Sequence, residues 1–531
     1  MAMRLRRAMA VSLGALMCCG EAAPSARAPQ ATVESGGLRG VASAALPRGG
    51  EFLGIPYAAQ PVGALRWRAP QPAPHWNGMR AVTQMGPACP QWPSPWLPEM
   101  LGVRAMPTDE ACLYLNVWTP ELHPRHALPV FLWVHGGGNV EGSGQWPPLG
   151  ETLAQQGIVV VSINYRLGVF GFYASAALDR ESAQHVSGNY GHLDQLAALA
   201  WVRRNIAAFG GDPNRVTIGG ESSGALDVCN LMASPRSAGL FRGAIMESGV
   251  CVDSVYPTLH EAEQNGERLA KDLGVQPGPA AIEALRALPA DKVLDAAERD
   301  DGLDLDPNID GWVLPEQPAV TFAKGRQAAV RVLVGSNEDE VSIFASPIVG
   351  GKSYRPKTVD EYRQWMQRRF GSYAERAEAG YPVHSDSETA GVFRTMFSDY
   401  DFAFGAWLLA KDNAGQPAFL YRFSYAGAGE FASLGAFHSE ELMFLSRHYW
   451  TSWVARPEDA DVSRAIVGYW TRFVKTGDPN GPGLPPWPAF APDAQSCQQI
   501  GLRIGPEAVP RVEKFRVFQE YLTSRLRSAG D

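Results

Sequence analysis

Two stretches of this chain are apolar for about the length of a strand, almost without a polar break. Pro129-Val130-Phe131-Leu132-Trp133-Val134 runs into His135-Gly136-Gly137-Gly138, and residues 158–163 are rich in β-branched side chains. A strand with one face in water alternates polar and apolar residues. One that is apolar on both faces must be covered on both, as in a parallel sheet flanked by helices. The intervening pattern agrees. Leu196, Leu199, Val202 and Ile206 recur at helical spacing within residues 193–209, and Asp212-Pro213 is expected to close that helix. Val216-Thr217-Ile218 reads as the next strand, residues 220–232 as a helix, and residues 330–335 as a strand again. Strand–helix alternation of this kind predicts a doubly wound, mostly parallel α/β sheet.

A length of 531 residues would allow several domains, yet no stretch reads as a linker. One catalytic domain over residues 29–531 is therefore expected. Residues 33–70 read as short strands and turns, and residues 261–300 as polar helices. Charge-rich helical patterning over residues 355–415 predicts a cap-like helical insertion beside the site. Tyr469-Trp470-Thr471-Arg472-Phe473 belongs to a late helix that stops at Gly477.

The first 28 residues have the build of an export signal. Arg4, Arg6 and Arg7 precede an uncharged stretch from Ala8 to Gly20, then small residues, with cleavage expected after Ala22 or Ala28. The alternative is lipid anchoring at Cys18 or Cys19, although Leu16-Met17 match lipoprotein processing poorly. The apolar stretch is too short to persist as a membrane span, and no later segment is apolar enough to be one. The expected location is therefore periplasmic or secreted. Of seven Cys, five remain after cleavage, and in an oxidising compartment the nearby pair Cys89/Cys112 is expected to bridge. The pairing of Cys229, Cys251 and Cys497 stays open, and an odd count leaves at least one thiol unpaired within the chain. No CxxC or HExxH spacing occurs, so no metal is expected. A net charge of −8 without a basic run argues against a nucleic-acid partner.

The chemistry is carried by Gly220-Glu221-Ser222-Ser223-Gly224, which matches G-x-S-x-G. So short a pattern arises by chance, and the bland reading is a plain strand-to-helix turn. Its position between a predicted strand and a predicted helix is what a nucleophile elbow requires. The turn is sharp enough that side chains two residues either side of Ser222 would collide, hence Gly220 and Gly224. The elbow lifts the hydroxyl to a helix N-terminus, where partial positive charge favours a developing anion. The glycines after His135 let N–H groups approach a substrate oxygen. Gly137, Gly138 and the Ser223 N–H are the candidate oxyanion hole. A phosphate-cradling loop is the rival, but no Lys-Ser/Thr follows the glycines.

Longer segments extend the picture over nearly the whole mature chain. Phe52-Leu53-Gly54-Ile55-Pro56-Tyr57-Ala58, Cys112-Leu113-Tyr114-Leu115-Asn116-Val117 and Asn164-Tyr165-Arg166-Leu167-Gly168 are followed by Gly188-Asn189-Tyr190-Gly191-His192-Leu193-Asp194-Gln195. Phe209-Gly210-Gly211-Asp212-Pro213 and Gly477-Asp478-Pro479-Asn480 come after. In this order they resemble the type B carboxylesterase/lipase family, which includes carboxylesterases, para-nitrobenzyl esterases and cholinesterases. The resemblance implies an α/β-hydrolase fold, no cofactor, and a small carboxylic ester as substrate. It says nothing of oligomeric state.

The resemblance also assigns roles. Glu340, in Asn337-Glu338-Asp339-Glu340, takes the place of the family's acid, and His438, in Gly435-Ala436-Phe437-His438, that of its histidine. Ser, Glu, His is the chain order of α/β-hydrolases. His438 would take the proton of Ser222 while Glu340 holds its tautomer. Taken alone, Glu340 and His438 would read as a solvated acid and a surface histidine. Ser248 resembles a supporting serine near the triad. Arg66 with Glu110 resembles a structural ion pair, and Asp194 and Trp201 read as packing residues. His192 and His448 carry no motif. The chain departs from the family at Ser223 (usually Ala), Asn139 (commonly aromatic), Val341 (usually Gly) and Ser439 (commonly Gly). A β-branched residue tolerates positive φ poorly, so Val341 strains the Glu340 assignment. Asn139 is expected to border the substrate pocket and make it roomier and more polar; the alternative is that it caps the loop. Two other readings share these residues: a non-catalytic binding protein on the same fold, and an acyltransferase using an alcohol in place of water.

Overall fold

The structure is a computed structural model. It describes residues 28–92, 106–346 apart from 279 and 301, and 355–528 apart from 414 and 451. The export signal with Cys18 and Cys19 lies outside the described residues, save Ala28.

Ten strands form the main sheet, here numbered in chain order: β1 (Gly50–Pro56), β2 (Tyr114–Thr119), β3 (Leu128–Val134), β4 (Val159–Ile163), β5 (Gly211–Glu221), β6 (Gly243–Glu247), β7 (Arg331–Asn337), β8 (Ala418–Phe423), β9 (Ser496–Ile500) and β10 (Ile504–Ala508). Their order across the sheet is β10-β9-β8-β7-β6-β5-β3-β4-β2-β1. The strands from β4 to β9 in that order are mutually parallel. Antiparallel β10 closes one side, and β2 and β1 the other. A small second sheet joins Gln30–Val33, Gly36–Arg39 and Met79–Ala81.

The apolar runs are explained by burial on both faces. Along β3, Val130, Leu132 and Val134 enter one hydrophobic cluster and Phe131 and Trp133 the other. Successive side chains of a strand point to opposite faces, so a strand covered on both sides has no position left for a polar residue. Each such side chain contributes on the order of 1.5–3 kcal/mol by leaving water.

Element boundaries differ from the sequence expectation at two places. The helix expected over residues 193–209 runs Tyr190–Asn205 and tightens into a 3₁₀ turn over Ile206–Phe209. Gly210, at φ 79°, ends it, as left-handed glycines commonly end helices. Asp212-Pro213 does not close the helix but lies in the irregular opening of β5, between the pairings of Gly211 and Val216 with β3, where a missing N–H costs little. The helix expected from Gly220 begins at Ser223, because Gly220 and Glu221 still pair with β3 and β6.

Residues 355–415 carry the helices Val359–Phe370, Ala374–Gly380, Asp386–Ser398 and Phe404–Asp412. A π turn, Asp399–Ala403, joins the last two. Such turns displace side chains from the helical pattern, and here Tyr400, Asp401 and Phe402 reach the cavity described next.

Candidate active site

The elbow forms where β5 meets the helix Ser223–Ala233. Ser222 sits at φ 56°, ψ −129°, a strained conformation for any residue with a side chain. Glycine is required on both sides. A Cβ on Gly220 would lie 2.4 Å from the carbonyl carbon of Gly224, and one on Gly224 would lie 2.3 Å from the Val134 oxygen. The Ser222 N–H donates to Glu247 O at 2.8 Å, fixing the turn to β6. Ser222 opens into a cavity of about 440 Å³ whose wall also includes Gly138, Ser223, Ser248 and Phe402.

The loop after β3 approaches the elbow closely. Gly137 and Gly138 have φ of 109° and 63°, and their N–H groups have no acceptor among the described residues. Ser223 is the first residue of its helix, where an N–H has no intrahelical partner. Gly138 and Ser223 share the cavity wall with Ser222, and Gly137 precedes them in the loop.

Asn139 follows at φ 58° and is buried. It stands on the cavity wall, but its amide is engaged within the protein. Nδ2 donates to Asp227 Oδ1 at 3.0 Å, and Oδ1 accepts from the Tyr165 hydroxyl at 3.1 Å. Its backbone N–H donates to Ser223 Oγ at 3.0 Å, and its carbonyl accepts from Gly168 N at 2.6 Å. Asp227 also accepts from His192 Nε2 at 3.1 Å and Gln195 Nε2 at 2.6 Å. The more polar pocket expected from Asn139 does not follow from this geometry, because buried polar groups take their partners from the protein. His192, without a motif in the sequence, belongs to this network.

His438 and Glu340 meet at the carboxyl end of the sheet. His438 Nδ1 donates to Glu340 Oε2 at 2.6 Å. Glu340 is fully buried, and its other oxygen accepts from Asn337 N at 2.7 Å. Its neighbour Asp339 pairs with Arg394 at 3.2 Å and accepts from Ala436 N. Val341 lies within a 3₁₀ turn starting at Glu340, with no positive φ, so the strain expected there does not arise.

Ser222 Oγ makes no hydrogen bond among the described residues. His438 Nε2 lies instead 3.1 Å from Glu221 Oε1. Glu221 also accepts from the Ser439 hydroxyl, and Ser439 occupies the left-handed region at φ 67°. Burial disfavours the His438 imidazolium, but the Glu221 and Glu340 carboxylates outweigh it and raise its pKa above the ordinary histidine value. Burial likewise raises Glu221, against the opposing pull of His438 and Ser439. Phe344 and Phe402 close over the imidazole, with ring centroids 5.0 and 5.2 Å away. Glu221 was visible in the sequence only as a variable letter of the G-x-S-x-G pattern, and nothing in its spacing pointed to His438.

Ser248 lines the cavity at φ 53°, and its hydroxyl has no hydrogen-bond partner among the described residues, so no supporting bond runs from it to the triad candidates. Arg66 pairs with Glu110 and also donates to the carbonyls of Leu285 and Leu288. Asp194 holds the buried Arg166 through two bonds of 2.7 Å, and Trp201 is fully buried in the core. The backbone N–H of His448 donates to the Ser446 hydroxyl at 3.2 Å. Cys89 and Cys112 form a disulfide, as do Cys229 and Cys251, while Cys497 is a buried free thiol.

Residues 27–516 match the model of the carboxylesterase family. Fumonisin B1 esterase of Sphingopyxis macrogoltabida is 38% identical over 449 residues, covering 83% of this chain and 81% of that protein. Carboxylesterase 1C of Rattus norvegicus is 32% identical over 470 residues, covering 83% of each. Among solved structures, a PNB esterase superposes with a TM-score of 0.79 at 31% identity, covering 92% of this chain and 99% of its own. A Geobacillus stearothermophilus carboxylesterase does so at 0.78 and 32%, with the same coverage.

Proposed function

The chain belongs to the carboxylesterase family and acts on carboxylic esters, and from that premise we propose that hydrolysis runs through an acyl-enzyme on Ser222. His438 is the general base and then acid, and Glu340 orients it. What supports this most is the short bond from His438 Nδ1 to the fully buried Glu340. It leaves Nε2 unprotonated in the neutral ring and turned toward the elbow. As substrate enters, Nε2 exchanges its contact with Glu221 for the Ser222 hydroxyl; catalytic bonds often tighten only in the complex. Ser222 Oγ attacks the ester carbon and its proton passes to Nε2. The charge that builds on the carbonyl oxygen is met by the N–H groups of Gly137, Gly138 and Ser223. The proton then goes to the leaving alkoxide, and water repeats the cycle to release the acid.

The whole sequence of steps belongs to one catalytic unit over residues 29–531, exported after loss of the signal. Two disulfides favour an oxidising compartment. No helix of the described residues is long and apolar enough to cross a membrane.

A fluorophosphonate probe tests the mechanism. It should label Ser222 in the native protein and fail to label Ser222→Ala, whose ester turnover should fall by several orders of magnitude. Unlabelled wild type, or an active Ser222→Ala, would refute it. Added alcohol during turnover distinguishes water from an alcohol as the acceptor. Fumonisin B1, the compound named for the bacterial relative, belongs in the substrate panel.

A further inference from the structure

One fully buried acid beside Glu221 takes no part in the chemistry of Ser222, His438 and Glu340. β5, β6, β7 and β8 place Glu221, Glu247, Gly335 and Tyr421 on one rung of the sheet, each paired in register with the next. Paired residues of parallel strands send their side chains to the same face, with the strands about 4.8 Å apart. Glu247 therefore stands beside Glu221, on the side of the sheet where Glu221 meets His438. Gly335 puts no side chain between Glu247 and Tyr421. The Tyr421 ring leans over it, 2.4 Å from where a Cβ would sit.

Glu247 is completely buried, and neither of its oxygens makes a hydrogen bond among the described residues. The titratable groups that bear on it are Glu221 on β5, Tyr421 on β8 and Glu441 on the helix Glu440–Ser446. The Trp470 indole faces it from the helix Asp459–Thr476. Glu441 accepts from the Asn337 amide with one oxygen. Its other oxygen, the Tyr421 hydroxyl and the Trp470 N–H have no partner among the described residues. A buried carboxylate without a partner is so costly that the group keeps its proton instead. Two adjacent acids, moreover, do not readily ionise together. Glu221 has the imidazole of His438 and the Ser439 hydroxyl to favour its charge, so the proton belongs on Glu247. Burial pushes the Glu247 carboxyl up to about 8, with the Trp470 indole opposing and the Glu221 charge adding.

A buried donor left without an acceptor is destabilising, and its persistence calls for a reason. The movement of His438 supplies one. When Nε2 leaves Glu221 for the Ser222 hydroxyl, the Glu221 carboxylate stays buried with only Ser439 as its donor. Resting on the acyl-enzyme reading above, we propose that Glu247 is a positioning residue: its carboxyl O–H turns to donate to Glu221 as His438 departs, so that the imidazole reaches Ser222 without stranding a buried charge.

The test uses the whole mature protein. Glu247→Met keeps the volume but has no proton to give. Replacing a buried acid by an apolar side chain of similar size is neutral or stabilising, so its melting temperature should equal or exceed that of the wild type. Its kcat should nevertheless fall by about tenfold or more, with KM little changed. Glu247→Gln is an uncharged donor of the same shape and should hold kcat within about threefold of the wild type. It should also leave the acid limb of kcat/KM in place, because one neutral group replaces another. An ionised Glu247 would instead let that limb move to lower pH. Full activity in Glu247→Met, a loss there that comes with a lower melting temperature, or a displaced limb or equal loss in Glu247→Gln would overturn the proposal. The Gln result stands whether or not Glu247→Met folds. Wild type that a fluorophosphonate fails to label at Ser222 would instead overturn the acyl-enzyme reading itself.

Discussion

The buried carboxylate of Asp227 holds the side chain of Asn139, across 3.0 Å, from the helix that begins beside the nucleophile. Asn139 directly follows the candidate oxyanion glycines, and its own N–H is tied to Ser223 Oγ. The strand-end loop and the elbow are thereby clamped to each other through one asparagine in a left-handed conformation. Asp227, His192, Gln195 and Tyr165 stand behind that clamp.

Asn139→Leu should therefore impair every ester alike. The substitution keeps volume but leaves Asp227 and Tyr165 each short of a partner, at a cost of about 1–3 kcal/mol in stability. If the loop relaxes, oxyanion donors move, and kcat should fall by about tenfold or more with little change in KM. The ratio of kcat/KM for bulky and small esters should stay constant. A selective loss of bulky esters without a lower melting temperature would mean that Asn139 acts as pocket lining instead.

The acid limb of the pH–rate profile should lie above pH 6.5. Catalysis needs neutral His438, and the net effect of its surroundings, with Glu221 and Glu340 prevailing over burial, raises its pKa. Activity is then lost as pH falls through that raised value. Glu221→Gln removes a negative charge 3.1 Å from Nε2, which makes the imidazolium less favourable and lowers the pKa. The limb of kcat/KM should move to lower pH in this variant. A limb that stays fixed or moves upward would show that Glu221 does not govern the proton on His438.

Glu340→Gln should be far more damaging than Asp339→Asn. An amide at 340 can donate to Nδ1 and favour the wrong tautomer, at up to about 10⁴-fold in turnover. Asp339 faces Arg394 and the Ala436 N–H, so its loss should act through stability. A crippled Asp339→Asn beside a near-normal Glu340→Gln would reverse the two roles.

What the sequence revealed and what it hid have a common physical cause. The strands were legible because Phe131 and Trp133 on one face of β3, and Val130, Leu132 and Val134 on the other, must all be apolar. The elbow was legible because only glycine fits at 220 and 224. Helix ends were less so: Gly210 stops a helix by its φ, and Pro213 is accommodated by a local break in pairing that no periodicity announces. The Glu221–His438 contact joins residues 217 positions apart, and the Asn139–Asp227 contact joins residues 88 apart. Such pairs are made by the crossing of strands, not by spacing along the chain.

The cysteines provide a last prediction, one that needs no activity assay. Unreduced peptide mapping should recover Cys89–Cys112 and Cys229–Cys251 as the two bridges, with Cys497 free. Each bridge closes a loop of 22 or 23 residues, which in the chain-entropy picture is worth about 3–4 kcal/mol. The second ties the helix that begins beside the nucleophile to the segment after β6 that carries Ser248, so its reduction should lower activity as well as melting temperature. Burial pushes the Cys497 thiol up to about 12, with Glu507 adding to the effect. Because the thiolate is the reactive form, iodoacetamide should leave Cys497 unmodified in the native protein and label it only after unfolding. Rapid labelling of Cys497 in the folded state, or free thiols at 229 and 251 in oxidised protein, would contradict this arrangement.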